Sequence, residues 1–144
     1  LHIFNSLRAV ASFALGDIDL GQLYLKEFLG SDRLRVETLL AVSRRLKAIG
    51  RLESARTVLR SAMERNPNNQ SALSELILVE MELSNSEVLA RLVDDLLDMR
   101  RPSYDLLEEA YARLGSDLFL FTPNRDAVLV ELEAVLAERR TKDT

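Results

Sequence analysis

The chain has 144 residues, 47% of them hydrophobic, with 6% aromatic residues, no Trp and no Cys. That length suits one compact domain, and a Leu/Ala/Val-rich profile favours packed helices over an aromatic-rich β-sandwich. The absence of Cys excludes a disulfide framework and a thiolate metal site, and a net charge of −4, with only the short Arg44-Arg45-Leu46-Lys47 run as a basic cluster, argues weakly against a nucleic-acid partner.

In chain order, apolar residues recur at helical spacing between short breaks. The first helix is expected from Ile3 to Leu15, with Phe4, Leu7, Val10, Ala11 and Ala14 as its apolar stripe, and Gly16-Asp17 ends it. Leu20, Leu23, Tyr24 and Phe28 carry the second helix to Gly30. The third runs from Val36 to Ile49 with Leu39, Leu40, Val42, Leu46 and Ile49 inward, and Gly50 suits the left-handed position that closes a helix. Leu52 to Arg65 follows, with Ala55, Val58, Leu59 and Ala62 on one face, and Asn66-Pro67-Asn68-Asn69 stops it.

Ser71 to Leu83 is the fifth helix, built on Leu73, Leu76, Ile77, Val79 and Leu83. Caps in Ser84-Asn85-Ser86 open the sixth, Glu87 to Met99, whose apolar face is Val88, Leu89, Leu92, Val93, Leu96 and Leu97. Arg101-Pro102-Ser103 separates it from Tyr104 to Leu114, which Gly115 ends. Leu118-Phe119-Leu120-Phe121 is expected to pack over the final helix pair, because four large apolar residues in an exposed loop would form a sticky patch. Thr122 as cap and Pro123 at the first helical position open a last helix to about Arg140, with Val128, Leu132, Val135 and Leu136 inward and Glu131, Glu133, Glu138 and Arg139 outward.

Gly16 and Gly50 stand 34 residues apart, and each lies between two helical runs. A period of that length marks an array of helix–turn–helix units, each burying its apolar face by stacking on a neighbour. From Gly50 to Pro67 the chain resembles the tetratricopeptide repeat: a glycine between two helices, Leu52 two residues later, Ala55, Leu59 and Ala62 along the second helix, then the proline. Ser43 stands where the family has glycine in its first helix, and Ser84 and Leu89 replace the glycine and the small residue of the third unit. Gly16, Ile18, Gly21, Leu25 and Phe28 carry the likeness in the first unit, and Tyr104, Leu107, Tyr111 and Gly115 in the fourth. The resemblance covers nearly the whole chain as four units, about 1–35, 36–69, 70–102 and 103–140. It implies an all-α fold, a right-handed α–α superhelix in one domain.

No constellation for catalysis is apparent. His2 is the only histidine, no glycine-rich phosphate loop occurs, and the acidic pairs Asp94-Asp95 and Glu108-Glu109 diverge around their helices. Met63, Met81 and Met99 read as packing residues. The expectation is a protein without enzymatic activity, cofactor or metal. No apolar run reaches the ~18–20 residues of a membrane span, so direct membrane insertion is not expected. A start at Leu1 within a helical pattern reads as a segment of a longer protein, and either a reducing or an oxidising compartment is compatible with the sequence.

What the resemblance implies is a concave groove lined by the first helix of each unit and taking a peptide or a helix from another protein. The candidate groove residues are Glu37, Leu40, Ala41, Arg44 and Lys47, then Ser74, Glu75, Leu78 and Glu82, then Asp105, Glu109 and Arg113. Leu40 and Leu78 are the candidate apolar anchors, with packing beneath a neighbour as the alternative reading. Arg44 and Lys47 would form a basic side, and Glu75, Glu82 and Glu109 an acidic one. The Lys/Asn/Arg clamp by which some relatives hold C-terminal carboxylates is replaced by Ser6, Val10 and Ala41. The leading functional expectation is a protein–protein interaction scaffold. The alternative is a regulatory or positioning region of a larger bacterial enzyme or of a cell-envelope polysaccharide export or assembly protein. The open ends of such an array also offer a route to self-association.

Overall fold

The computed structural model describes residues 2–99 and 103–114, together with 130, 133, 134, 137, 138 and 141. It comprises α1 (His2–Ala14), α2 (Ile18–Leu29), α3 (Val36–Ala48), α4 (Leu52–Arg65), α5 (Gln70–Leu83), α6 (Ser86–Leu97) and α7 (Tyr104–Leu114), with no strand among the described residues. Neighbouring helices pack in pairs, α1 with α2, α3 with α4, and α6 with α7. The expected segment Leu118–Phe121 and the body of the expected final helix, including Val128, Leu132, Val135 and Leu136, lie outside the described residues, as do Gly115 and the side chains of His2 and Arg113.

The helix starts keep a strict period. The odd-numbered helices, the first of each repeating unit, begin at His2, Val36, Gln70 and Tyr104, and the even-numbered, second helices at Ile18, Leu52 and Ser86, each series advancing by 34 residues. Between α1 and α2, between α3 and α4, and between α5 and α6 the backbone turns left-handed at Gly16 (φ 88°), Gly50 (φ 81°) and Ser84 (φ 57°), again 34 apart. The same two hydrogen bonds close each turn. Gly16 N–H donates to the Phe13 carbonyl and Asp17 N–H to Ser12; Gly50 donates to Lys47 and Arg51 to Leu46; Ser84 donates to Met81 and Asn85 to Glu80. This is the arrangement in which a left-handed residue satisfies the last carbonyls of a helix. Serine thus adopts at Ser84 the conformation that glycine adopts at the other two positions.

The residue after each turn caps the next helix in two of the three cases. The side chain of Asp17 accepts from the Leu20 N–H and that of Asn85 from the Val88 N–H, whereas Arg51 makes no such bond. The Arg51 guanidinium instead lies over the Phe13 ring, 4.8 Å from its centroid. Its Nε is buried without a hydrogen-bond partner, and the ring face is the contact it has in exchange.

The chain forms two compact parts, Leu1–Val79 and Glu80–Thr144. In the first, α1 also touches α3, and the core is Phe28, Leu39, Leu46, Leu59, Leu73 and Ile77 with the fully buried Ala55, Val58 and Ala62. The side chain of Arg65, at the end of α4, donates from Nη2 to the carbonyls of Leu29 (3.2 Å) and Ser31 (3.1 Å), placing a cation at the C-terminus of α2. In the second part Leu89, Ala90, Val93 and Leu96 of α6 are fully buried, as are Leu107 and Ala110 of α7.

Burial in the second helices follows the period as well: Gly21, Leu25 and Phe28, then Ala55, Leu59 and Ala62, then Leu89, Val93 and Leu96. The first helices keep it at Leu39, Leu73 and Leu107, all fully buried. The exception is α1. Asn5, Arg8 and Ser12 stand 34 residues before Leu39, Val42 and Leu46, so this helix lacks the large apolar residues that anchor α3. It buries Ser6, Ala9, Ser12 and Phe13 instead. The stripe expected from its hydrophobic periodicity faces outward: Phe4, Leu7, Ala11 and Ala14 are exposed and Val10 is half-buried. In α2, Leu20 and Leu23 are likewise exposed, while Gly21, Leu25 and Phe28 face in. Ile49, expected inward, caps α3 at 37% exposure.

Candidate partner-binding surface

Within the first part, the face of interest is built by α3 and α5. Arg44 lies near the C-terminal end of α3 and Glu75 near the middle of α5. Their side chains meet, with Arg44 Nε donating to Glu75 Oε1 at 2.8 Å. Arg44 is 59% exposed at its side chain and Glu75 20%, so the pair sits at the wall of a surface hollow. That hollow has a volume of about 400 Å³ and is lined by Arg44, Gln70, Ser71, Ser74, Glu75 and Leu78. It combines one ion pair, serine hydroxyls, an amide and an apolar step at the half-buried Leu78. An exposed pair of this kind contributes roughly 0–1 kcal/mol to stability. Its larger consequence is on charge: the expected basic and acidic sides are joined here, and Arg44 and Glu75 largely neutralise each other.

The remaining expected groove residues divide as follows. Glu37 is exposed at the start of α3, Ala41 and Lys47 are half-buried, and Ser74 lines the hollow. Leu40 is buried at 7% and packs into the core, so it is no exposed anchor. Ser43, one turn on, is 2% exposed and returns its hydroxyl to the Leu40 carbonyl at 2.8 Å, so the face of α3 that carries Leu40 and Ser43 is covered by its neighbours. Glu82, Asp105 and Glu109 are exposed and belong to the second part.

A second and larger hollow was not expected from the sequence. It lies on α2 and α4, measures about 550 Å³ and is lined in part by Gln22, Lys26, Arg51, Glu53, Ser54 and Thr57. The one sequence signal for it was Arg51 at a capping position that aspartate and asparagine hold in the other two cases. Elsewhere in the second part, Asp94 and Asp95 have carboxyls held above the ordinary value of 3.8, chiefly by burial and then by the neighbouring Asp98, with Asp95 adding to the effect on Asp94.

Among the described residues no group of His, Asp or Glu side chains is arranged to hold a metal ion, and no helix is long and apolar enough to cross a membrane. No protein-family model matches the chain, and no curated protein matches it.

Proposed function

We propose that this chain is a tetratricopeptide-like helical-repeat module, stacked as a right-handed superhelix, that holds an extended peptide or a helix of another protein on the face of its first helices. The observation that carries this reading is the Arg44–Glu75 hollow. Two successive first helices present hydroxyls, an amide, an ion pair and an apolar step along one surface. The 34-residue period of helix starts, left-handed turns and buried positions supports the repeat assignment independently.

The mechanism is recognition without chemistry. Ser71, Ser74 and Gln70 offer hydrogen bonds to a peptide backbone, Leu78 offers apolar contact, and the ion pair can open to exchange partners with a ligand carboxylate or ammonium. Opening an exposed pair costs little, so charges on the ligand set orientation and encounter rate more than affinity. A role as a positioning region of a larger enzyme or envelope assembly protein uses the same surface and the same binding step.

The test begins with peptides selected from a random-sequence display library against the 144-residue chain. Arg44→Glu with Lys47→Glu should weaken binding at least tenfold while leaving thermal stability nearly unchanged. Asp95→Lys on α6 with Asp98→Lys at its C-terminal cap should leave binding intact. Binding lost in the α6 variant and kept in the α3 variant would assign recognition to the opposite surface.

A further inference from the structure

The outward face of α1 is the strongest unassigned feature. Ile3 is 57% exposed, Phe4 61%, Leu7 46% and Leu15, directly after the helix, 87%. At roughly 200 Å² for a large apolar side chain, these four expose about 500 Å². Monomeric proteins seldom show a contiguous apolar patch above about 300–600 Å². With Val10, Ala11 and Ala14 beside them, the face approaches the ~800 Å² per subunit of a standard specific interface.

We infer that this face pairs with its counterpart on a second copy of the chain, α1 against α1 in antiparallel register about a two-fold axis. Three observations select that occupant. A two-fold interface uses one patch on both subunits and must be self-complementary. The α1 stripe itself is apolar along its length, and Arg8, the exposed cation of this helix, lies over the Tyr24 ring, 5.7 Å from its centroid. Second, Phe4, Leu7, Ala11 and Ala14 follow the alternating three- and four-residue spacing of a coiled-coil seam. Third, the order of sizes fixes the direction. Antiparallel pairing centred near Ala9 sets Phe4 against Ala14 of the second copy and Leu7 against Ala11, a large residue on a small one along the seam, with Ile3 facing Leu15 at each end. Parallel pairing would set Phe4 on Phe4 and Ala14 on Ala14, crowding one end and leaving the other empty.

The contact also accounts for the inversion of α1. This helix has Asn5, Arg8 and Ser12 where α3 has its core leucines and valine, and it keeps its larger side chains for the outside. Such a helix is stabilised by what covers its outer face as well as by the core beneath it.

The experiment uses the 144-residue chain, whose lack of cysteine allows single thiols to be placed at will. Sedimentation at micromolar concentration should give twice the chain mass. Phe4→Glu with Leu7→Glu should raise the dimer dissociation constant at least ~100-fold, since two charges would be buried without partners, with helical content unchanged by circular dichroism. Phe4→Cys with Ala14→Cys should form an inter-chain disulfide in high yield. Phe4→Cys alone should not, because ten helical residues separate the two thiols by about 15 Å, beyond disulfide reach. The cysteine variants keep the question open to test even if the glutamate variant unfolds. A monomeric wild-type chain would overturn the inference, and the face would then belong to a different protein or to another part of a longer polypeptide. A dimer that survives the glutamate substitutions, or efficient cross-linking of Phe4→Cys alone, would overturn it equally.

Discussion

Gly50→Ala isolates the cost of the left-handed turn. A Cβ built on Gly50 meets no atom within 4 Å, and the same holds at Gly16, so substitution brings no steric clash with the rest of the fold. What remains is the backbone. Gly50 sits at φ 81°, beyond the range of about 50–70° that non-glycine residues tolerate. An L-residue in the left-handed region loses about 1–2 kcal/mol, and restricting the unfolded chain returns about 0.4–1 kcal/mol. With φ beyond the tolerated range the loss lies near its upper figure, and the net expectation is destabilisation by about 1–1.6 kcal/mol. Ser84→Gly reverses the argument. Ser84 already bears the strain at φ 57°, inside the tolerated range, so relief is smaller and the variant should gain about 0.5 kcal/mol. Urea denaturation followed by circular dichroism measures both. Gly50→Ala at wild-type stability, or Ser84→Gly less stable than wild type, would refute the left-handed turns and with them their shared geometry.

Leu59→Ala should lose about 2–5 kcal/mol, since Leu59 is 1% exposed in the middle of α4 and its removal leaves a cavity; a loss within surface-substitution range by urea denaturation would place it outside the core. Gly21→Ala should destabilise despite alanine's better helix propensity: its Cβ would lie 2.6 Å from Cδ1 of Phe13, a ring already held by the Arg51 guanidinium. Overpacking of about 1–3 kcal/mol exceeds a propensity gain of about 1 kcal/mol, and a stabilised variant would contradict the packing of α1 on α2. Asp95→Asn should stabilise the chain at neutral pH. The folded carboxyl titrates above the unfolded value of 3.8, so the ionised group opposes folding at every pH above its folded value. That opposition fades as pH falls and is gone once both states are protonated, so the advantage of the variant should vanish in acid. Urea midpoints differing equally at neutral and acid pH would contradict the assignment.

Much of the fold was legible because burial followed an aliphatic face wherever a helix had only one such face. Ala55, Val58, Leu59 and Ala62 fell inward as periodicity required, and the bounds of α4 and α7 coincide with those expected. Periodicity misled where a helix carries apolar residues on the side away from the core. For α1 the larger stripe was the outer one, and for α2 the residues in the repeat's register, Gly21, Leu25 and Phe28, gave the inner face while Leu20 and Leu23 did not. The candidate surface was legible in outline only. Residue spacing put Arg44 and Glu75 on neighbouring first helices, but their meeting at 2.8 Å depends on the approach of α3 and α5, which spacing does not specify. The burial of Leu40 was open for the same reason, because a residue at the border of a helix face is assigned by its neighbour. The hollow on α2 and α4 had only Arg51, at its capping position, to signal it.

The recognition surface is tested most directly by nuclear magnetic resonance of the isotope-labelled chain titrated with a selected peptide. The account predicts backbone amide shifts concentrated at Arg44, Ser71, Ser74, Glu75 and Leu78, the residues around the α3–α5 hollow. Shifts concentrated instead at Gln22, Lys26, Ser54 and Thr57, with Arg44 and Glu75 unmoved, would place the partner on α2 and α4 and contradict it.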